Sequence, residues 1–154
     1  LRGRPVLVFT FYADTVLPCL VEDLTAAGFR VGTYVGADRA SVDNMAALQA
    51  GELDVLVSSD AGARGLNLPE VQYIIEYEPA STHEKRMQRF GRGQRLTSTN
   101  AFVYGITLAA AKTLEASTLR LALERNQVQD GLLGDTDADG YMTADLRRER
   151  LGVR

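Results

Sequence analysis

Three arginines recur at intervals of three in Met87-Gln-Arg-Phe-Gly-Arg-Gly-Gln-Arg95: Arg89, Arg92 and Arg95, with Gly91 and Gly93 between them. A guanidinium is permanently charged, and its planar fork of donors matches a phosphate in bidentate fashion. Glycines beside it let the backbone approach a ligand closely. The segment therefore suits gripping an anion. A solvated basic helix end gives a similar pattern, because cations favour the C-terminal end of the helix dipole. The decision falls to a second segment, Ser58-Ser-Asp-Ala-Gly-Ala-Arg-Gly-Leu-Asn-Leu-Pro69, which follows an apolar run and mixes hydroxyl, glycine, arginine and carboxamide groups.

Two other constellations are less productive. Asp135, Asp137, Asp139 and Gly140 copy the first half of a calcium loop, whose twelfth position should be glutamate. That position is Leu146; Asp145 comes one residue early and Glu149 three late. The reading favoured here is an acidic turn with poor metal affinity, so no metal site is expected. His83 is the single histidine and has no cysteine or histidine neighbour in sequence with which to share a metal.

The elements that position the arginines follow from periodicity. Val6 to Phe9 is a continuous apolar run, the mark of a strand buried on both faces. A helix is expected from Asp14, as N-cap, to Ala27, stopped by Gly28, with Pro18 harmless in its first turns. Further strands are expected at Arg30 to Val35, Asp54 to Ser58, Tyr73 to Glu76 and Phe102 to Thr107. A second helix is expected from Asp38 to Ala50. Ser81 and Glu84 match a capping box, which predicts a helix from Thr82 to Phe90 ending at Gly91. A long helix is expected from Ala111 to Leu132, and a short basic one near Ala144 to Arg150. Alternation of strand and helix implies an α/β fold, a parallel sheet sandwiched by helices, with ligands at the carboxyl ends of the strands. Both chemistry-bearing segments should open on that edge. Residues 1–133 are expected to form this domain with its following helix, and residues 134–154 an acidic turn and short C-terminal helix.

Composition bounds the class. The chain has 154 residues, 45% hydrophobic and 24% charged, with 17 basic and 20 acidic side chains and a formal charge of −3. That excludes a surface coated in positive charge and leaves a local basic site open. No apolar run approaches a membrane span, and LRGRPVLVFTF lacks a signal-peptide layout. Cys19 is the only cysteine, which rules out an internal disulfide and points to a reducing, cytoplasmic setting. Its place in the apolar part of a helix reads as a small core residue.

Taken together, Val6 to Tyr12, Asp54 to Pro79 and Met87 to Arg95 resemble, in order and spacing, motifs IV, V and VI of superfamily 2 helicases and translocases. The resemblance covers Val6 to Thr107. Gly-Leu-Asn-Leu-Pro, and the helix TLEASTLRLALERNQVQDGLL, lean toward the chromatin-remodeller and RapA-like branch. The resemblance implies a RecA-like, P-loop NTPase-type second motor domain with a C-terminal helical extension. It implies that Arg92 and Arg95 face the γ-phosphate of ATP, with Gly65, Asn67, Gln88, Arg89 and Gly91 near the nucleotide or supporting the motif. It implies that Thr10, Arg39, Ser59 and Arg64 contact a nucleic-acid backbone. Asp60 is either a family-like acid or a turn cap, with nothing to choose between them. Gly93-Gln94 departs from the DEAD-box form of motif VI.

The chain has no Gly-Lys pair and no Asp-Glu dipeptide, so Walker A and B sequences are absent from it. The start, a few residues before a core strand, suggests a piece of something longer. ATP and magnesium are therefore expected to be held mainly by an N-terminal RecA-like partner domain, and this chain alone is expected to be inactive as an ATP hydrolase. The expected polymer is DNA, duplex favoured, with RNA still open, and no membrane partner is expected. The competing reading is a degenerate motor half kept as a protein-docking or nucleic-acid-binding module. The arginine pair argues against it, since docking does not need one. A generic nucleotide-binding domain should carry a glycine-rich first strand-to-helix turn, and TFYADT has none.

Overall fold

A computed structural model describes residues 4–92, 103–110 and residue 117, with the side chains of residues 63, 64 and 83 outside that description. The chain divides into two compact units, Leu1–Ala116 and Ser117–Arg154. Of the second, Ser117 alone is described, and it is helical. Apart from Ser117, the expected long helix, the acidic Asp135–Asp139 turn and the last basic helix thus lie outside the described residues.

In the first unit the elements run β1 (Val6–Thr10), α1 (Val16–Ala26), β2 (Val31–Tyr34), α2 (Arg39–Gln49), β3 (Val55–Ser59), a 3-10 turn (Gly62–Gly65), β4 (Tyr73–Glu76), α3 (His83–Phe90) and β5 (Tyr104–Thr107). All strands are parallel, in the order β2-β3-β1-β4-β5. β1 is central and buried along its whole length, as its unbroken apolar run requires. Its residues divide by parity. Val6 and Val8 pack with Leu17, Leu20, Val21 and Leu24 of α1 on one face. Leu7 and Phe9 pack on the other, with Met45 and Leu48 of α2, Leu66 and Leu68, and Phe90 of α3. The sheet is therefore covered on both sides, as the alternating pattern predicts.

The boundaries moved for identifiable reasons. α1 is capped by Thr15 rather than Asp14, without a side-chain cap; the carbonyl of Tyr12 instead accepts the N–H groups of Val16 and Leu17. Pro18 falls in the first turn, where a missing N–H costs nothing. α2 is capped by Asp38, whose carboxylate accepts Ser41 N–H at 2.8 Å, as expected. The residues after α1 and α2 include Gly28 and Gly51, both at positive φ. α3 is capped by Thr82, one residue later than the capping-box match placed it: Thr82 is extended and its hydroxyl accepts Lys85 N–H at 3.2 Å. Adjacent Ser81 and Thr82 are chemically equivalent caps, and the match through Glu84 selected the wrong one.

Cys19 corrects another expectation, because it is exposed. Leu17, Leu20, Val21 and Leu24 take the sheet-facing stripe of α1, and Cys19 falls on the opposite face with Glu22 and Asp23. Among the described residues no helix is long and apolar enough to cross a membrane.

The two positions should respond very differently to substitution. Leu56→Ala, at a fully buried site in the sheet core, should cost about 2–5 kcal/mol by losing buried surface and leaving a cavity. Cys19→Ser should stay within about 0.5 kcal/mol of the parent. Denaturant titrations of the two variants check the pair.

Candidate functional site

The carboxyl ends of β1, β3, β4 and β5 meet α3 around one buried acid. Glu76 ends β4 with no solvent exposure. Its Oε1 accepts from Arg89 Nη1 at 3.0 Å, and its Oε2 accepts from the Thr107 hydroxyl at 2.7 Å. Arg86 Nε lies 3.5 Å from the same Oε2, and Arg86 Nη2 donates to Thr107 Oγ1 at 2.9 Å. Arg89 reaches further. Its Nε donates to Asp60 Oδ1 at 2.7 Å, just beyond β3, and its Nη1 also donates to the Glu78 carbonyl at 3.1 Å. The guanidinium lies 5.6 Å from the Phe9 ring centroid, a cation–π distance. Two guanidinium charges are thus balanced by two carboxylates, and α3 is tied to the ends of β3, β4 and β5.

Of the two roles expected for Arg89, near the nucleotide or supporting the motif, this geometry fits the second. The side chain is buried, and its donors are spent on Asp60, Glu76 and Glu78; it supports the segment from within. Asp60, for which a family-like acid and a turn cap were both open, pairs its carboxylate with Arg89. Gln88, on the next position of α3, is exposed.

Arg92 follows one turn later. Gly91 closes α3, its N–H donating to the Met87 carbonyl at 2.8 Å. The Arg92 carbonyl then accepts Leu68 N–H at 3.2 Å, and its Nη1 points toward the Leu66 carbonyl at 3.5 Å. Leu66 and Leu68 are anchored in the core, which turns Gly65 and Asn67 outward. The half-buried Arg92 therefore sits directly against the loop carrying Gly65 and Asn67. Arg95 lies outside the described residues.

The loop after β3 is held close to β2. A Cβ on Gly62 would lie 2.4 Å from the Tyr34 carbonyl oxygen, and one on Gly65 would lie 2.5 Å from the Tyr34 hydroxyl. No side chain fits at Gly62 unless main chain moves. The backbone of Arg64 is part of this 3-10 turn.

The hydroxyls expected to meet a polymer backbone are turned inward. Thr10 and Ser59 are register partners at the ends of β1 and β3, and both are buried. The Thr10 hydroxyl donates to Glu78 Oε1 at 2.9 Å, and Ser59 Oγ accepts Gly62 N–H at 3.3 Å. Both groups brace their loops, which corrects their reading as surface contacts. Arg39 is the opposite case, almost wholly exposed at the start of α2 with only a loose 4.0 Å pairing to Asp43.

Glu76, Glu78 and Arg86 were missed from sequence. For Glu76 a signal existed: the alternation in Tyr73-Ile-Ile-Glu76 puts it on the same inward face as Ile74. An acid there demands a cation, and Arg86 and Arg89, three apart on a helix, supply two.

A family model for the helicase conserved C-terminal domain matches residues 1–97. The chain belongs to that family. Among similar proteins, "DEAD-box ATP-dependent RNA helicase 35B" of Oryza sativa subsp. japonica is 29% identical over 135 residues, covering 86% of this chain and 22% of that protein. "ATP-dependent RNA helicase RhlB" of Actinobacillus succinogenes is 40% identical over 75 residues, covering 47% of this chain and 18% of that one. The chain thus spans about a fifth of the length of these relatives. In structure, the C-terminal part of the Fun30 ATPase domain superposes with a TM-score of 0.68 at 20% identity, over 77% of this chain and 39% of that chain. The fold is the C-terminal RecA-like domain of superfamily 2 helicases, as the three motifs imply.

Removing the central acid should be severe. Glu76→Ala leaves two desolvated guanidiniums without their shared anion, and should cost about 3–5 kcal/mol. Arg39→Ala, at an exposed ion pair, should change stability by less than about 0.5 kcal/mol. Urea unfolding of both variants measures the contrast.

Proposed function

We propose that the chain is the second motor domain of an ATP-dependent nucleic-acid helicase or translocase, supplying arginines to a nucleotide held mainly by an N-terminal RecA-like domain. One observation carries this reading: the main chain of Arg92 is hydrogen-bonded to the loop bearing Gly65 and Asn67, so the arginine segment and the loop expected to meet the nucleotide share one edge of the sheet.

Phosphoryl transfer asks a protein mainly for positioning and charge stabilisation, and an arginine delivered from a second domain contributes about 10³ to 10⁵ in rate. In this reading Arg92 and Arg95 supply that charge at the γ-phosphate, and Asn67 approaches the ribose. Arg89, held by Glu76 and Asp60, fixes the helix that delivers them. The described residues contain no group of three His, Cys, Asp or Glu side chains placed to hold a metal. Magnesium and most of the triphosphate are assigned to the partner domain, where the metal would neutralise phosphate charge. Closure of the two domains on ATP, and opening after hydrolysis, is a hinge transition that would grip and release the polymer beside Arg39 and the 3-10 turn.

The relatives are named RNA helicases, which favours RNA as the polymer; the duplex-DNA preference drawn from Gly-Leu-Asn-Leu-Pro finds no support in those names.

The test joins this chain to an N-terminal RecA-like domain carrying Walker A and B sequences, and measures ATP turnover with and without RNA. Turnover should be negligible for the 154-residue chain alone and stimulated by RNA in the joined protein. Arg92→Ala or Arg95→Ala should reduce stimulated turnover by about 10³-fold or more while the melting temperature of this domain is kept. Full turnover in both variants would overturn the assignment.

A further inference from the structure

The two faces of the edge strand β2 are finished differently. On the face of α2, Asn44 and Leu53 crowd against Gly32, where an added Cβ would lie 2.5 Å from Leu53 Cδ1. Asn44 Nδ2 also donates to the Thr33 carbonyl at 3.0 Å. On the face of α1 the cover stops short. The sheet-facing stripe of α1 packs on Val6 and Val8 of β1 and on Val55 and Val57 of β3, the inner strands. Toward β2, α1 presents Thr25 and Ala26, which are too small to close the gap. A groove of about 690 Å³ remains, walled by Pro18, Val21, Glu22, Thr25 and Ala26 of α1 and by Thr33 of β2. Its surface is almost wholly carbon.

Shape and charge restrict what fits. An apolar recess on an exposed helix flank is a place where a partner's side chains gain by burial. A strand added to the edge of β2 would compete with Asn44 for the Thr33 carbonyl. Recognition therefore falls to side chains, in the manner of a helix laid into a groove. The charge is of one sign. Glu22 stands in the wall with Asp23 next to it in sequence, and α1 has no basic residue. Ala26 is the last residue of α1, so the groove ends at the negative pole of that helix, with no cation in its last turn. Arg30, which leads into β2, is already held by Asp54 at 2.7 Å. A phosphate or an anionic lipid surface is disfavoured here, whereas an apolar segment flanked by cations is matched in both respects.

We propose that this groove docks an amphipathic helix of a partner protein. Apolar side chains at i, i+3 and i+4 enter between α1 and β2, and lysine or arginine lies beside Glu22 and the end of α1. The groove is on the opposite face of the sheet from α2 and α3. A partner seated there leaves Arg92 and the loop after β3 uncovered, so it tethers the domain without occupying the edge expected to meet nucleotide. The inference stands independently of the function proposed above.

The test measures fluorescence anisotropy of labelled peptides on the 154-residue chain. The peptides are about four turns long, each stapled into a helix. One carries leucine at the entering positions and lysine on the flanks, one leucine with glutamate, and one serine with lysine. The leucine–lysine peptide should bind about tenfold more tightly than the serine–lysine one, the effect of burying one or two leucines. Glu22→Lys, at an exposed site, should weaken the leucine–lysine peptide about fivefold and strengthen the leucine–glutamate one. Thr25→Phe fills the recess from another exposed position and should abolish the advantage of leucine over serine while the melting temperature is kept. Equal binding of the leucine and serine peptides, or affinities unmoved by both variants, overturns the docking site. So does displacement of the leucine–lysine peptide by a single RNA strand, or self-association of the chain that Thr25→Phe abolishes; these results assign the groove to a polymer or to a second copy instead.

Discussion

A carboxylate without access to water, held between two guanidiniums, fixes everything of functional interest here. Burying Glu76 alone would cost several kcal/mol. Burying it with Arg86, Arg89 and Thr107 around it satisfies the charge and spends the donors in one place. Such an arrangement contributes little net stability compared with well-packed apolar side chains. Its return is positional. A hydrophobic contact between α3 and the sheet would tolerate sliding, whereas a guanidinium fork on a fixed carboxylate is directional.

That directionality matters because of what lies at either end of Arg89. On one side its guanidinium holds Asp60, the first residue beyond β3; on the other, the same helix leads within one turn to Arg92. The loop beyond β3 and the helix end are thereby parts of one rigid body, joined a second time where Leu68 N–H meets the Arg92 carbonyl. A displacement imposed on the loop reaches Arg92 through two short hydrogen-bonded links.

Much of this was legible in the residues. The central strand declared itself by an unbroken apolar run, and the parallel sheet by alternation of strand and helix patterns, because parallel strands need crossovers. Asp38 was readable as a cap because no neighbouring residue competed for the role. Adjacent Ser81 and Thr82 did compete, and only backbone geometry separates them. Cys19 misled because an apolar neighbourhood along the chain is not an apolar face in space. The larger gap concerned side-chain direction. Thr10, Ser59 and Arg89 were correctly placed at the carboxyl edge, yet sequence does not say whether a polar group at a strand end looks outward or completes an internal bond. For Thr10 and Arg89 the partners that turn them inward, Glu78, Glu76 and Asp60, come from strand ends distant in sequence, whereas Ser59 is held by the nearby Gly62 N–H.

The seating of two glycines on one tyrosine has an implication for how this surface tolerates drift. Gly62 rests against the Tyr34 carbonyl, whereas Gly65 rests against the phenolic oxygen. The first clearance is governed by peptide geometry alone and survives any exchange of residue 34. The second is governed by a ring that a smaller substituent would withdraw, opening space beneath Gly65. Position 62 is accordingly closed to variation. Position 34 acts as an adjustable shim, able to lower one end of the loop while the other stays level.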